Sequence, residues 1–172
     1  MKAICQVRSL CLLYCFLFCI AFVNGATTIE SVLKAKGDFS DIIDGASEAG
    51  ILSLYNNPSA TETVFTPNNT GLMNTLSDLN IGAIQALQLL QNHTLLKQLL
   101  LYGTVNESIS VASLSSGTHH FPSMLGPNLT LVKNSTGAFV NDIPVIEEDV
   151  AAGSSEIQVI ETLLIPPNVH IS

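Results

Sequence analysis

Four histidines lie beyond residue 25: His93, His119, His120 and His170. His119 and His120 are adjacent, and neighbouring side chains on a strand face opposite sides. That pair is therefore poorly spaced to hold one metal ion. Glu147, Glu148 and Asp149 form the densest acidic spot. Carboxylate oxygens suit a divalent cation, but the glycine-punctuated spacing of a calcium loop is missing. The run reads as a solvated acidic loop. Serine, histidine and aspartate all occur, as a nucleophilic triad requires, yet Gly-x-Ser-x-Gly does not. No phosphate-cradling glycine loop is present either. The residues assign no catalytic roles, and the expectation is a protein that is not an enzyme, with no catalytic residues, metal site or cofactor.

A different chemistry is better represented. N-x-S/T sequons begin at Asn68, Asn92, Asn106, Asn128 and Asn134, whereas Asn57 is disqualified by Pro58. Asn, Ser and Thr also abound in turns for conformational reasons. Read with the N-terminus, the sequons become candidate N-glycosylation sites, which face solvent when occupied.

That N-terminus has the order of a secretory signal. Lys2 and Arg8 supply the positive start, Leu10 to Val23 an uninterrupted apolar run, and Gly25 a small residue at the expected cut. The run is shorter than the roughly 18 apolar residues of a membrane span. Residues 1–25 are thus expected to be a signal peptide, and 26–172 one domain. All four cysteines, Cys5, Cys11, Cys15 and Cys19, lie inside the signal. The mature chain is then held by its core alone, without disulfides or thiolate chemistry. No polar spacer and apolar tail follow the last apolar run, so a lipid-anchor signal is not expected.

The whole chain has 172 residues, 6 basic and 14 acidic, with 47% apolar and 12% charged residues. Removing Lys2 and Arg8 leaves the mature part at a net charge of -10. So few cations disfavour nucleic acid, whose phosphates are held by Lys and Arg. The apolar content excludes a disordered acidic tail.

The elements that position these residues come in two textures. Ile29, Val32 and Leu33 have helical spacing, with Thr28 as a cap, and Phe39, Ile42, Ile43 and Ala46 repeat it. Thr63 to Thr66 is a β-prone run ended by Pro67, and Asn68 to Gly71 reads as a turn before a short helix at Leu72, Met73 and Leu76. Ile81, Ile84, Leu87 and Leu90 fall on one helical face. Leu95, Leu96, Leu99, Leu100 and Tyr102 form the next, with Gly103 as the stop. From Val105 onward the pattern is strand-like. Ile109 and Val111 alternate with polar neighbours, Leu129 to Lys133 and Ala138 to Val140 flank a turn, and Ile143 to Ile146 and Ile157 to Ile165 follow. The expected class is α+β, with helices in the N-terminal half packed on a mainly antiparallel wedge or sheet.

Three segments then resemble the fasciclin domain family, from about Ile29 to Pro167. Thr63-Val64-Phe65-Thr66-Pro67-Asn68-Asn69 resembles its strand-then-turn block, with Thr66 where Ala is usual. Leu95 to Tyr102 resembles the helix leading into a Tyr-His pair, with Gly103 in the place of the histidine. Asp149-Val150 and Ile157 to Pro167 resemble the closing block, with Gln158 for His and Glu161 for Asp. The resemblance implies a wedge of strands with helices around it. It also implies an extracellular role in cell adhesion or in matrix or cell-wall association, through protein or glycan contacts. The residues it designates for partner binding are Tyr102, Asp149 and Val150. Helix-spaced aromatics are usually core, and an aspartate beside a turn usually hydrogen-bonds it.

The expected protein is thus secreted, non-catalytic and glycosylated. Its partners are an extracellular protein or glycan, with self-association as a way for one module to bridge two surfaces. It has no nucleic-acid partner and no transmembrane span in the mature chain. The alternative is a secreted carrier of a small apolar or lipid-like ligand, suggested by the Leu, Ile and Val content.

Overall fold

The computed structural model describes residues 27–169. The signal-like stretch 1–25 with its cysteines, and His170, lie outside the described residues. Six helices and seven strands follow one another in the order α1 (Ile29–Lys36), α2 (Ser40–Glu48), α3 (Leu52–Tyr55), β1 (Thr63–Pro67), α4 (Asn69–Asp78), α5 (Ala83–Gln91), α6 (His93–Tyr102), β2 (Thr104–Val105), β3 (Gly117–Pro122), β4 (Asn128–Asn134), β5 (Gly137–Val140), β6 (Ile143–Ala152) and β7 (Ser155–Ile160).

Side-chain caps decide where the helices start. Thr28 opens α1: its Oγ1 accepts from the Ser31 amide at 3.2 Å, and its own amide donates to Ser31 Oγ at 2.9 Å. Gly37, at φ 82°, closes that helix in the left-handed conformation. Asn68 Oδ1 accepts from the Gly71 amide at 2.9 Å, which turns the expected Asn68–Gly71 turn into the first turn of α4. Asn92 opens α6 through the Leu95 amide at 3.0 Å.

The strands form one mixed sheet in the order β2-β1-β7-β6-β5-β4-β3. Only the β1–β7 pair is parallel, with Thr63 opposite Glu156 and Pro67 opposite Ile160. The sheet curls until its two ends approach: Val105 of β2 bridges Ser123, just past β3, and the Met124 amide donates to the Thr104 carbonyl at 2.7 Å. Every residue of β1 is buried, as expected of a strand covered on both faces.

Alternation along β1 and β7 therefore feeds two cores. Val64, Ile157 and Val159 face Ile29, Leu33, Phe39, Ile42 and Tyr55 beneath the helices. Phe65 and Ile160 face Tyr102, Leu129, Leu131 and Val140 inside the curl. Each such apolar side chain contributes about 1.5–3 kcal/mol when fully buried.

Three elements differ from the sequence pattern. Ile109 and Val111 are buried but form no strand: Val111 lies in a hydrogen-bonded turn that begins at Ser110, and Ile109 precedes it. The last strand ends at Ile160, because the Leu163 amide is taken by Thr75 Oγ1 of α4 at 2.8 Å, drawing the chain away. Helix α5 forms as expected yet buries none of its residues: Ile84 is 75% exposed and Leu87 60%.

Candidate functional site

The acidic spot of the sequence is built on a distorted strand. β6 carries two register shifts against β7, one between Val145 and Glu147 and one between Glu147 and Val150. Each inserts an extra residue and bends the strand. Asp149 sits in the second bulge at φ 55°, a left-handed conformation that Asp tolerates better than most residues. The three acids are separated by this geometry. Glu147 pairs with Lys36 of α1 at 2.7 Å, Glu148 is exposed, and Asp149 turns toward the segment after β2.

There Asp149 acts as a cap. Its Oδ1 accepts from the Val111 amide at 2.7 Å, and its Oδ2 accepts from the Ala112 amide at 2.9 Å and from Ser110 Oγ at 2.9 Å. Those groups open two successive tight turns, closed by Ser113 N to Ser110 O and Leu114 N to Val111 O. At the other end Lys133 Nζ of β4 donates to the carbonyls of Val111, Ala112 and Leu114 at 2.7, 2.8 and 3.0 Å. An anion at the amide end and a cation at the carbonyl end is the arrangement that favours a helical turn.

Gln158 of β7 locks the acid in place. It is fully buried. Its Nε2 donates to Asp149 Oδ1 at 2.7 Å and to the Ile109 carbonyl at 3.0 Å, while its Oε1 accepts from the Asp149 amide at 2.9 Å. Thr63 of β1 completes the anchorage: its Oγ1 donates to the Glu107 carbonyl and accepts from the Ile109 amide, both at 2.7 Å. Burial pushes the Asp149 carboxyl upward, but the bonds from Gln158, Ala112, Val111 and Ser110 outweigh it and hold the group below the usual carboxylate range. Glu156 is raised, by burial first and by the Asp149 charge second.

The three residues designated by the motif do not converge. Asp149 and Val150 are consecutive, and Val150 packs against the core beneath the helices. Tyr102 is 3% exposed, in the core inside the curl. Its hydroxyl accepts from Asn141 Nδ2 at 2.8 Å. Asn141 and Asp142, at φ 46° and 67°, make the two-residue turn between β5 and β6.

Gly103, where the motif carries histidine, packs against β1. A Cβ there would lie 2.6 Å from the Phe65 carbonyl oxygen, and the Phe65 amide donates to the Gly103 carbonyl at 2.7 Å.

The exposed surface of this region is the clamped segment itself: Glu107, Ser108, Ala112, Ser113, Ser115 and Ser116. Beside it, β3 is an edge strand carrying His119 and His120 on opposite faces. His119 Nε2 lies 2.9 Å from the Ser115 carbonyl and His120 Nδ1 3.2 Å from Thr130 Oγ1. Lys133 was legible only as a polar residue inside apolar alternation, and Gln158 as the residue at the motif's histidine position. Thr63 carried no separate signal.

This architecture, a curled mixed sheet with helices packed on one side, recurs in a solved structure. That structure is a FAS1 domain pair from the insect cell adhesion molecule fasciclin I, with a TM-score of 0.66 and 20% sequence identity. The match covers 81% of this chain and 51% of that one, so the chain spans about half the length of the pair. No curated protein matches the chain in sequence. A family profile for the fasciclin domain matches residues 37–166. The chain belongs to the fasciclin domain family, whose domains occur in adhesion-related proteins. Among the described residues, no helix is long and apolar enough to cross a membrane.

Proposed function

We propose that the chain is a secreted, non-catalytic extracellular module that attaches to a cell surface, matrix or wall through protein or glycan contacts. The observation that carries this reading is the segment Asn106–Ser116, held rigid by Asp149, Lys133, Gln158 and Thr63 in a domain of the fasciclin family. A surface fixed before contact loses less conformational entropy on binding than a mobile one. Asp149 contributes by shaping this segment and Tyr102 by fixing the β5–β6 turn, whereas Val150 packs into the core beneath the helices.

Glycosylation fits the same reading. Asn92, Asn106, Asn128 and Asn134 are exposed, whereas Asn68 is half-buried and caps α4. Two glycans, at Asn106 and Asn134, would border the clamped segment and its neighbouring strands, and would limit the direction from which a partner docks.

The test is retention of the secreted mature chain on intact source cells and on their extracted matrix. A deglycosylated sample and a Glu107→Arg/Ser113→Arg variant, both positions exposed, run beside it. Saturable retention that the variant loses supports the reading. Retention unchanged in the variant refutes this surface, and no retention on either material refutes adhesion. The carrier reading has one observation in its favour, a cavity of about 270 Å³ beneath α5 with almost wholly aliphatic walls.

A further inference from the structure

The cavity lies where α2, α4, α5 and α6 meet the segment after β7. Ile42, Leu72, Leu76, Leu89, Leu99 and Leu100 form its walls, with no aromatic ring among them, and the Thr75 hydroxyl at its edge is already engaged by Gly71 and Leu163. Nothing in such walls would orient a planar or polar group, so they suit a flexible hydrocarbon. The volume of about 270 Å³ exceeds the ~150 Å³ of an apolar protein cavity that takes up benzene, so it has room for an alkyl chain of more than six carbons. The rim is apolar too: Met73 is 61% exposed, Leu79 37% and Leu90 46%, although all three line the cavity.

Gly45 shows that the space is not an accident of poor contact by large side chains. It is buried in the middle of α2, has ordinary helical backbone and lines the cavity, yet a Cβ there would meet nothing within 4 Å. Glycine inside a helix is less favourable than alanine. No neighbour demands it here, and its effect is to leave the cavity open.

The charge around the mouth narrows the ligand. Asp41, on the same helix, lines the cavity. Leu90 is shared with an adjoining surface groove that also contains Leu87, Asp44, Glu48 and His93. Asp41, Asp44 and Glu48 follow one another along one side of α2 and are all exposed. His93 lies 3.7 Å from Glu48, and the chain as a whole is acidic. An anionic head would be repelled there and a cationic one attracted.

We propose that this site binds a free single-chain amphiphile with a cationic head. Its hydrocarbon enters past Met73, Leu79 and Leu90, and its head rests against Asp41, Asp44 and Glu48. The inference rests on the carrier reading and is independent of the adhesion reading.

The experiment titrates the full mature chain by calorimetry and thermal shift with decyltrimethylammonium, decanol and decanoate, each as monomer and at low salt. Hexyl and octyl homologues of the cation follow. Decyltrimethylammonium is expected to bind one to one, with affinity rising about fourfold per methylene, at least tenfold tighter than decanoate. That preference should shrink in high salt.

Gly45→Leu fills the space and should abolish binding, while Gly45→Ala folds and keeps it. If Gly45→Leu does not fold, the exposed set Asp41→Asn/Asp44→Asn/Glu48→Gln carries the test, and must lose the preference for the cation over decanol. Decanol binding with no cationic advantage overturns the inference and leaves the carrier reading standing. No one-to-one binding by any of the three ligands overturns both. Binding that ignores chain length, or survives in folded Gly45→Leu, overturns the cavity assignment.

Discussion

Removing the carboxylate of Asp149 tests the clamp directly. Asp149→Ala strips the acceptors from the Val111 and Ala112 amides, from Ser110 Oγ and from Gln158 Nε2. Hydrogen bonds to a charged group are each worth about 1.5–3 kcal/mol. They share one carboxylate and are not additive, and the half-buried site lets water reach part of the loss. Alanine also pays about 1 kcal/mol for the left-handed backbone at φ 55°. The expected total is about 3–4 kcal/mol.

Asp149→Asn keeps one acceptor and tolerates the backbone, so it should lose about 1–2 kcal/mol. Urea unfolding followed by circular dichroism gives the totals. Amide hydrogen exchange at Val111 and Ala112 shows whether the loss begins at the clamp. The pH dependence supplies the sign. The Asp149 carboxyl is held low in the folded state, so its stabilisation is fully present above the ordinary value of about 3.9. It is lost as pH falls through the folded value. Asp149→Asn should flatten that acid limb. Asp149→Ala within 0.5 kcal/mol of the parent, with unchanged exchange at Val111 and Ala112, would refute the clamp; that threshold is about the size of an ordinary surface substitution.

Three further outcomes follow from the same geometry. Lys133→Met should cost about 1–2 kcal/mol by freeing the carbonyls of Val111, Ala112 and Leu114, and hydrogen exchange should quicken in 110–114 before it does elsewhere. Glu62 is buried, its Oε2 finds no partner within the protein, and burial holds its carboxyl above the usual range. Its favourable contribution is therefore present in acid and lost as pH rises through the folded value. Glu62→Gln should accordingly raise the melting temperature at pH 7 and lose that advantage near pH 4, as differential scanning calorimetry at the two pH values will show. Gly103→Ala should cost about 1–3 kcal/mol, because its Cβ would press on the Phe65 carbonyl; a chemical denaturation midpoint equal to the parent's would count against that close approach.

The parts of the fold that announce themselves in the sequence are those where local chemistry and tertiary packing agree. Thr28 caps a helix that then buries an apolar stripe, and Thr63 to Pro67 is β-prone and fully covered. Where the two diverge, periodicity misleads. Ile109 and Val111 alternate like a strand, but three distant side chains, Thr63, Asp149 and Gln158, take the backbone groups that a ladder would need. The stripe of α5 predicts its helix but not its partner, because amphipathicity states that a face is apolar and not that another element reaches it. At the candidate site, Asp149 stands out by its charge and by its motif. Gln158 stands out only as a departure at the motif's histidine position, and the bulge in β6 is what places its amide against Asp149.

The parallel pairing of β1 with β7 also sets the order in which this chain can be finished. Thr63 must wait for Glu156, almost at the far end of the described domain. Contacts so distant in sequence make folding slow, since loop closure precedes any reward. At roughly 5–20 residues per second of synthesis, the wait for β7 lasts on the order of 5–20 s. Until then Val64 and Phe65 lack the strand that covers one edge of β1, and the half-built sheet is open to pairing with other chains. A truncation before β7 should therefore yield an aggregating product, not a smaller folded domain, and the yield of the whole chain should depend on how well the synthesising compartment shields that edge.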